Sequence, residues 1–202
     1  MEWIIVDDGD TNQKVADLFL YSGLSNIVYL PYRRGIVMGA KLNIAKARAR
    51  GEIIVIMDDD DYYPPERILL AVRALEENPD VLVAGCSKTY MYYMDTDEIY
   101  CAGPYHDYHA LNCTLAFRSS YKGMYNDNEP CAVESFFLND FTEDMIQLNS
   151  KKTILHVIHS TNTFNAIQGR DEGTLGLLRK TKLTLENFIH DEEMRKAFIG
   201  AY

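Results

Sequence analysis

The first half of the chain alternates short apolar runs with segments of helical period, the pattern of a mostly parallel sheet covered by helices. WIIV (Trp3 to Val6) reads as a buried strand that runs out into the polar stretch DDGDTN, and residues 11–21 read as a helix. IVYL (Ile27 to Leu30) is a second strand, and Val37 to Arg50 a helix stopped by Gly51. EIIVIM (Glu52 to Met57) is a third strand. Pro64 suits the first turn of a helix reaching Glu77, and VLVAG (Val81 to Gly85) follows as a strand.

From Ser87 the pattern changes. KTYMYYM and EIYCAG flank the turn DTD, so Thr89 to Cys101 predicts an antiparallel hairpin whose tyrosines mostly pack inward. Asn112 to Ser119 predicts a strand, Ala132 to Asn139 a short helix, TILHVIH (Thr153 to His159) a last strand, and Thr174 to Phe198 one amphipathic helix. No repeat, low-complexity segment or linker interrupts residues 1–202, which predicts a single domain.

Composition narrows the function classes. The 202 residues are 47% apolar and 25% charged, as expected of an ordinary globular chain able to close a core without covalent help. A formal net charge of -10 disfavours nucleic acid and anionic lipid as partners. The basic residues Arg33, Arg34, Lys41, Lys46, Arg48 and Arg50 read mainly as a solvated helix face. Cys86, Cys101, Cys113 and Cys131 show no zinc-site spacing and read as buried thiols. No run is long enough for a membrane span, and no leader pattern opens the chain, so a soluble, cytoplasmic protein is expected.

The chemistry concentrates in IMDDDDYYPPER (Ile56 to Arg67), which sets four consecutive aspartates behind an apolar strand. In parallel α/β sheets ligands bind beyond the carboxyl ends of the strands, where both Asp7-Asp8 and Asp58 to Asp61 fall. Carboxylate oxygens suit Mg2+ or Mn2+, and such an ion commonly bridges to substrate phosphates. Alternation lets Asp58 and Asp60 point one way and Asp59 the other. A P-loop ATPase lacks its G-x-x-x-x-G-K-[ST] here, a haloacid-dehalogenase phosphatase would need Thr or Val at Tyr62, and an EF-hand would need glycine at Tyr63.

EWIIVDDGDT followed by NIAKARARGEIIVIMDDDDYYPPERI closely resembles the family-2 glycosyltransferases of the GT-A fold, with Asn43, Ala47, Gly51 and Glu52 at the family's spacing before a D-x-D turn. The resemblance is strong over Glu2 to Arg67, and the late stretch QLNSKKTILHVIHSTNTFN is similar to members from bacteria and large algal viruses. It implies an α/β, Rossmann-like domain with a nucleotide-binding half (1–85), an antiparallel acceptor half (86–170) and a helical end (171–202). It implies inverting, metal-dependent transfer of a sugar from a nucleoside diphosphate donor, with a UDP-sugar expected, to a glycan, lipid-linked or protein acceptor. The alternative is a non-catalytic nucleotide-sugar or glycan-binding module on the same fold; a phosphohydrolase with Asp58 as nucleophile is more distant.

By the same resemblance, Asp7, Asp8, Lys41, Asp58 and Asp59 belong to the donor, with Asp58 near the ribose and Asp59 and Asp61 also supporting the turn. Asp58, Asp60 and His159 hold Mn2+ or Mg2+, Asp60 most directly. Glu134, in AVESFFL, is the general base, with Val133 in place of the family's first acid and Asp140, Glu143 and Asp144 as substitutes. His156 reads as a strand histidine satisfied by a neighbour. Trp3, Tyr105, His106, Tyr108 and His109 are candidates for an acceptor surface, although such rings are more often core. Family members ordinarily carry a strand and helix before the VDDGS strand. Here that strand opens the chain, so its free edge is expected to be covered by another segment or by self-association.

Overall fold

In a computed structural model, residues 1–10 and 15–200 are described. The strands are β1 (Trp3–Asp7), β2 (Ile27–Pro31), β3 (Ile53–Val55), β4 (Val83–Gly85), β5 (Thr89–Tyr93), β6 (Glu98–Ala102), β7 (Ala116–Arg118), β8 (Met145–Gln147), β9 (Leu155–Ile158) and β10 (Leu178–Lys180). The helices are α1 (Ala16–Leu20), α2 (Met38–Arg48), α3 (Arg67–Glu77), α4 (Glu134–Phe137), α5 (Ala166–Asp171) and α6 (Glu192–Gly200). Two compact units result, Met1–Ile54 with Arg118–Thr142, and Val55–Phe117 with Glu143–Tyr202. Strands β3, β7, β4 and β8 form a four-stranded sheet in that order.

In the first unit β1 and β2 pair in parallel, Trp3 opposite Ile27 through Asp7 opposite Pro31. Phe19 of α1 sits edge-on to Trp3 at 5.4 Å between ring centres and 5.9 Å from Tyr29, so one aromatic residue seals the helix to both strands. Residues 11–14 of the expected first helix lie outside the described residues. Helix α2 lies against the 121–129 loop closely enough that a Cβ on Gly39 would come within 1.9 Å of the Asn126 carbonyl oxygen, which only glycine avoids. The Lys46 ammonium donates to the Tyr121 carbonyl at 3.1 Å and to that of Gly123, so this lysine is a loop clamp and not part of a solvated face.

In the second unit the predicted hairpin forms: β5 and β6 are antiparallel, and β9 joins β5 in parallel within a sheet of order β10-β6-β5-β9. All five residues of β5 are buried, because the sheet is covered on both faces. Tyr90, Tyr92, Leu155 and Val157 pack with Leu185, Phe188 and Ile189, while Met91, Tyr93 and Ile158 pack with Ala102 and Ala166. The tyrosine-rich run is therefore core.

Two element predictions are corrected. Helix α3 starts at Arg67, not Pro64: the two prolines form a turn closed by the Arg67 amide donating to the Pro64 carbonyl at 2.9 Å. Residues 174–198 are not one helix. Leu177 adopts a left-handed φ of 58°, β10 then runs along the edge of β6, and Thr184 with Asn187 caps a new turn before α6. The apolar spacing that mimicked one helix comes from Leu185, Phe188 and Ile189, which fill the core beneath β5 and β9. Strand β8 and helix α5 were not predicted. Among the described residues, no helix is long and apolar enough to cross a membrane.

Candidate active site

The acidic turn belongs to the second unit and is fixed from two sides. Tyr62 and Leu155 exchange backbone hydrogen bonds at 3.1 and 2.9 Å, bolting the turn onto β9. The Asp58 amide donates to the Tyr63 hydroxyl at 2.8 Å, and that hydroxyl donates to the Cys113 carbonyl at 3.2 Å. Beneath the turn, the buried Arg67 guanidinium donates to the carbonyls of Ile56 (3.3 Å), Thr114 (2.8 Å) and Leu115 (2.9 Å). All three bonds come from Nη2, while Nε and Nη1 are buried without a hydrogen-bond partner among the described residues, so the carbonyls offset only part of the cost of burying this cation.

On this frame the four aspartates separate. Asp59 is exposed. Asp60 meets the end of β9: its Oδ2 lies 3.3 Å from His159 Nε2 and accepts a hydrogen bond from the Asn162 amide at 3.0 Å. Asn162 also receives the His159 amide at 2.7 Å, so one asparagine orients both groups. Asp61 turns inward with a fully buried side chain, accepting from the Val157 amide at 2.8 Å and bonding His156 Nδ1 at 2.7 Å. Burial pulls the His156 imidazole towards neutrality, but the Asp61 charge and hydrogen bond raise it overall. Burial, and then the Asp61 carboxylate, push Asp58 up to about 7 against the pull of His156. Asp60 and His159 are thus brought together, while Asp58 does not join them in a three-ligand group among the described residues.

In the first unit Asp7 is largely occupied by structure. It accepts from the Gly9 amide at 2.8 Å and from the Val15 amide at 3.2 Å, and bonds the Tyr29 hydroxyl. Burial and then Asp7 push that phenol up to about 12. Asp8 accepts from Lys41 Nζ at 2.7 Å and from the amides of Gly35 (3.3 Å) and Ile36 (3.1 Å). Burial alone would raise the Asp8 carboxyl; the Lys41 bond and charge, with the two amides, bring it below the ordinary range. Lys41 and Asp8 therefore form one charge pair.

Glu134 opens α4, and burial raises its carboxyl above the ordinary range. The backbone on both sides of α4 is left-handed, at Ala132 (φ 51°) before it and at Asn139, Asp140 and Phe141 (φ 50°, 53° and 59°) after it. Each such residue costs about 1–2 kcal/mol, so the surrounding packing has to impose this conformation. That packing includes Phe137, stacked on Tyr125 at 4.2 Å and edge-on to Tyr121 at 5.1 Å. Asp140 is exposed and bonds Ser135 at 3.2 Å; Glu143 and Asp144 belong to the second unit, just ahead of β8.

Of the aromatic candidates, Trp3 is half exposed against α1, and Tyr105 and Tyr108 are exposed. His109 stacks near Tyr105 at 4.5 Å, and burial followed by the neighbouring His106 lowers it to about 4. A cleft of about 450 Å3 in this unit is lined by Lys88, Tyr90, Pro104, Asp107, Gln147 and Lys151 among others. The expected rings are not among its walls, but their loop neighbours Pro104 and Asp107 are. Sequence reasoning missed Tyr63, Arg67 and the orienting role of Asn162. Only Asn162, three residues after His159 at a strand end, carried a local signal.

Solved structures with a similar fold are GT-A glycosyltransferases. The mannosyltransferase PcManGT from Pyrobaculum calidifontis, determined with GDP-Man and Mn2+, superposes with a TM-score of 0.59 over 84% of this chain and 51% of its own, at 15% identity. S. aureus TarS 1-349 with UDP-GlcNAc gives a TM-score of 0.60 over 80% of this chain and 50% of its own, at 17% identity. The chain thus spans about half the length of each. No curated protein matches it in sequence. The profile of glycosyl transferase family 2 matches residues 1–138, and the chain belongs to that family.

Proposed function

We propose that the protein is an inverting glycosyltransferase that moves a sugar from a nucleoside diphosphate donor to an acceptor hydroxyl with a divalent metal ion. Family membership supports the reaction class. The observation that carries the metal assignment is the approach of Asp60 Oδ2 to His159 Nε2 at 3.3 Å, with Asn162 orienting both. One carboxylate oxygen and one imidazole nitrogen on a partly open turn fit Mn2+ well and Mg2+ acceptably. When bound, the ion offsets the negative charge that gathers on the diphosphate as the glycosidic bond breaks.

Asp58 and Asp59 face the donor ribose in this reading, and Asp7, Asp8 and Lys41 its base and ribose. Glu134 accepts the proton of the acceptor hydroxyl while that oxygen attacks the anomeric carbon and the bond to the diphosphate breaks on the opposite side. A burial-raised carboxyl is a stronger proton acceptor than an ordinary glutamate, which favours Glu134 over the exposed Asp140. A UDP-sugar is the proposed donor, consistent with the UDP-GlcNAc bound by TarS. The cleft beside residues 104–109 is the proposed acceptor surface, and the cytoplasm the proposed compartment, in keeping with four cysteines outside any disulfide.

The test is release of nucleoside diphosphate from UDP- and GDP-sugars with Mn2+, compared between the parent and Glu134→Gln. Loss of a general base lowers turnover about 10²–10⁴-fold, with donor binding retained. Equal rates remove Glu134 from this role. Binding without any release would instead make the chain a nucleotide-sugar-binding module.

A further inference from the structure

Behind the acidic turn lies a second group of metal-binding side chains that the proposed transfer reaction does not use. Ligand atoms of Asp61, Cys113 and His156 all lie within 4.8 Å of one another. We infer that this trio is a binding site for a borderline-soft divalent cation of the Zn2+ type, separate from the Asp60–His159 pair.

A hydrogen-bonded Asp61–His156 dyad explains only part of the arrangement. Asp61 Oδ1 takes both the Val157 amide and His156 Nδ1, but Asp61 Oδ2 is buried without any hydrogen-bond partner, and the side chain is fully enclosed. Leaving a buried acceptor unsatisfied costs about 1–3 kcal/mol, and more when it is charged. A cation on Oδ2 removes that penalty. The thiol of Cys113, buried within ligand reach of the same carboxylate, is what distinguishes the group from an oxygen-only Mg2+ or Mn2+ site. Thiolate, imidazole and carboxylate together select Zn2+-like ions.

The scaffold is already rigid. Asp61 is tied to β9, which carries His156. The short helical turn Asn112–Thr114, which carries Cys113, is held by the Tyr63 hydroxyl on the Cys113 carbonyl and by Arg67 on the Thr114 carbonyl. Tetrahedral zinc, with bonds of about 2.0 Å to nitrogen or oxygen and 2.3 Å to sulfur, places its ligands about 3.5 Å apart. Side-chain rotations of about an ångström suffice to close the trio to that spacing. On binding, the Cys113 S–H and any proton on His156 Nδ1 pass to solvent, and metal–sulfur and metal–nitrogen bonds replace them with no change of oxidation state. The ion would pin the Asp58–Asp61 turn to both β9 and the 112–114 turn.

The test uses Co2+ as a spectroscopic probe of the whole chain. A near-ultraviolet thiolate-to-cobalt charge-transfer band at one equivalent is expected. It should persist in Asp60→Ala and Cys131→Ser, vanish in Cys113→Ser, and be displaced by Zn2+. Absence of the band in the folded parent, or its survival in Cys113→Ser, overturns the site. Should Cys113→Ser fail to fold, zinc-edge X-ray absorption on the parent decides. One sulfur at about 2.3 Å supports the site, and nitrogen and oxygen scatterers alone overturn it. These readouts involve no nucleotide, so they succeed or fail independently of the proposed transfer reaction.

Discussion

Asn43 stands at the asparagine position of the family motif, and its geometry predicts a structural reason for that residue. From α2, its Nδ2 donates to the Tyr125 carbonyl at 2.8 Å and to Asp127 Oδ1 at 2.7 Å, while its Oδ1 accepts the Tyr125 amide at 3.0 Å. The two backbone bonds are worth about 1 kcal/mol each, and the bond to the exposed Asp127 about 0.5 kcal/mol. Asn43→Ala removes all three, and partial access of water to the released groups leaves a net loss of about 2 kcal/mol. For a chain of this size that is a fall in Tm of about 4–8 °C. Asn43→Asp keeps the acceptor for the Tyr125 amide but places a second carboxylate beside Asp127. It should therefore melt below the parent at pH 7, and the deficit should shrink as the pH drops through the carboxylate range. Thermal unfolding followed by circular dichroism at pH 4 and 7 measures both. A Tm for Asn43→Ala within about 1 °C of the parent, or an Asn43→Asp variant as stable as the parent at pH 7, would refute the clamp. Because Tyr125 stacks on Phe137 of α4, the clamp also supports the helix that carries Glu134.

Three further outcomes follow from the same geometry. Glu134 has a raised folded-state pKa, so the folded state holds its proton more tightly than the unfolded one. Stability from this group is present below the unfolded value of 4.5 and is lost as pH rises through the folded value. Glu134→Gln should accordingly melt higher than the parent at pH 8 and nearly equal to it at pH 4, and an unchanged difference across that range would contradict the burial effect. Arg67→Met orphans the Thr114 and Ile56 carbonyls, while the Leu115 carbonyl keeps the Ile56 amide at 2.9 Å. After the gain from no longer burying a cation, the expected loss is about 2–4 kcal/mol by urea unfolding, and a loss near zero would show that Arg67 is not the clamp under the turn. The acid limb of transfer activity should lie above the range of an ordinary glutamate and disappear in Glu134→Gln. A limb at the ordinary position would point to an exposed carboxylate such as Asp140 instead.

Much of the fold was legible because its signals are local. WIIV, IVYL and the TYMYY–EIYCA hairpin show strand character in composition and turn residues, whereas α2 ends at Arg48 with an extended Ala49, ahead of Gly51. The 174–198 region was misread because residues that fill the core from a loop and a helical turn can reproduce helical spacing. The geometry at the end of β9 was partly legible, since an acidic turn and a late strand-end histidine both announce themselves, and Asp60 and His159 do meet. The inward turn of Asp61, the carbonyl cage around Arg67 and the approach of Cys113 to His156 depend on chain segments 40 or more residues apart, and no spacing rule contains them.

The most direct test of the metal-dependent donor site is a calorimetric titration of UDP and of GDP, with Mn2+ and with EDTA, into the parent and Asp60→Ala. Saturable binding of a nucleoside diphosphate that needs Mn2+ and is lost in Asp60→Ala is the expected result. No binding of either nucleotide at millimolar concentration, or Mn2+-dependent binding that survives Asp60→Ala, would contradict it.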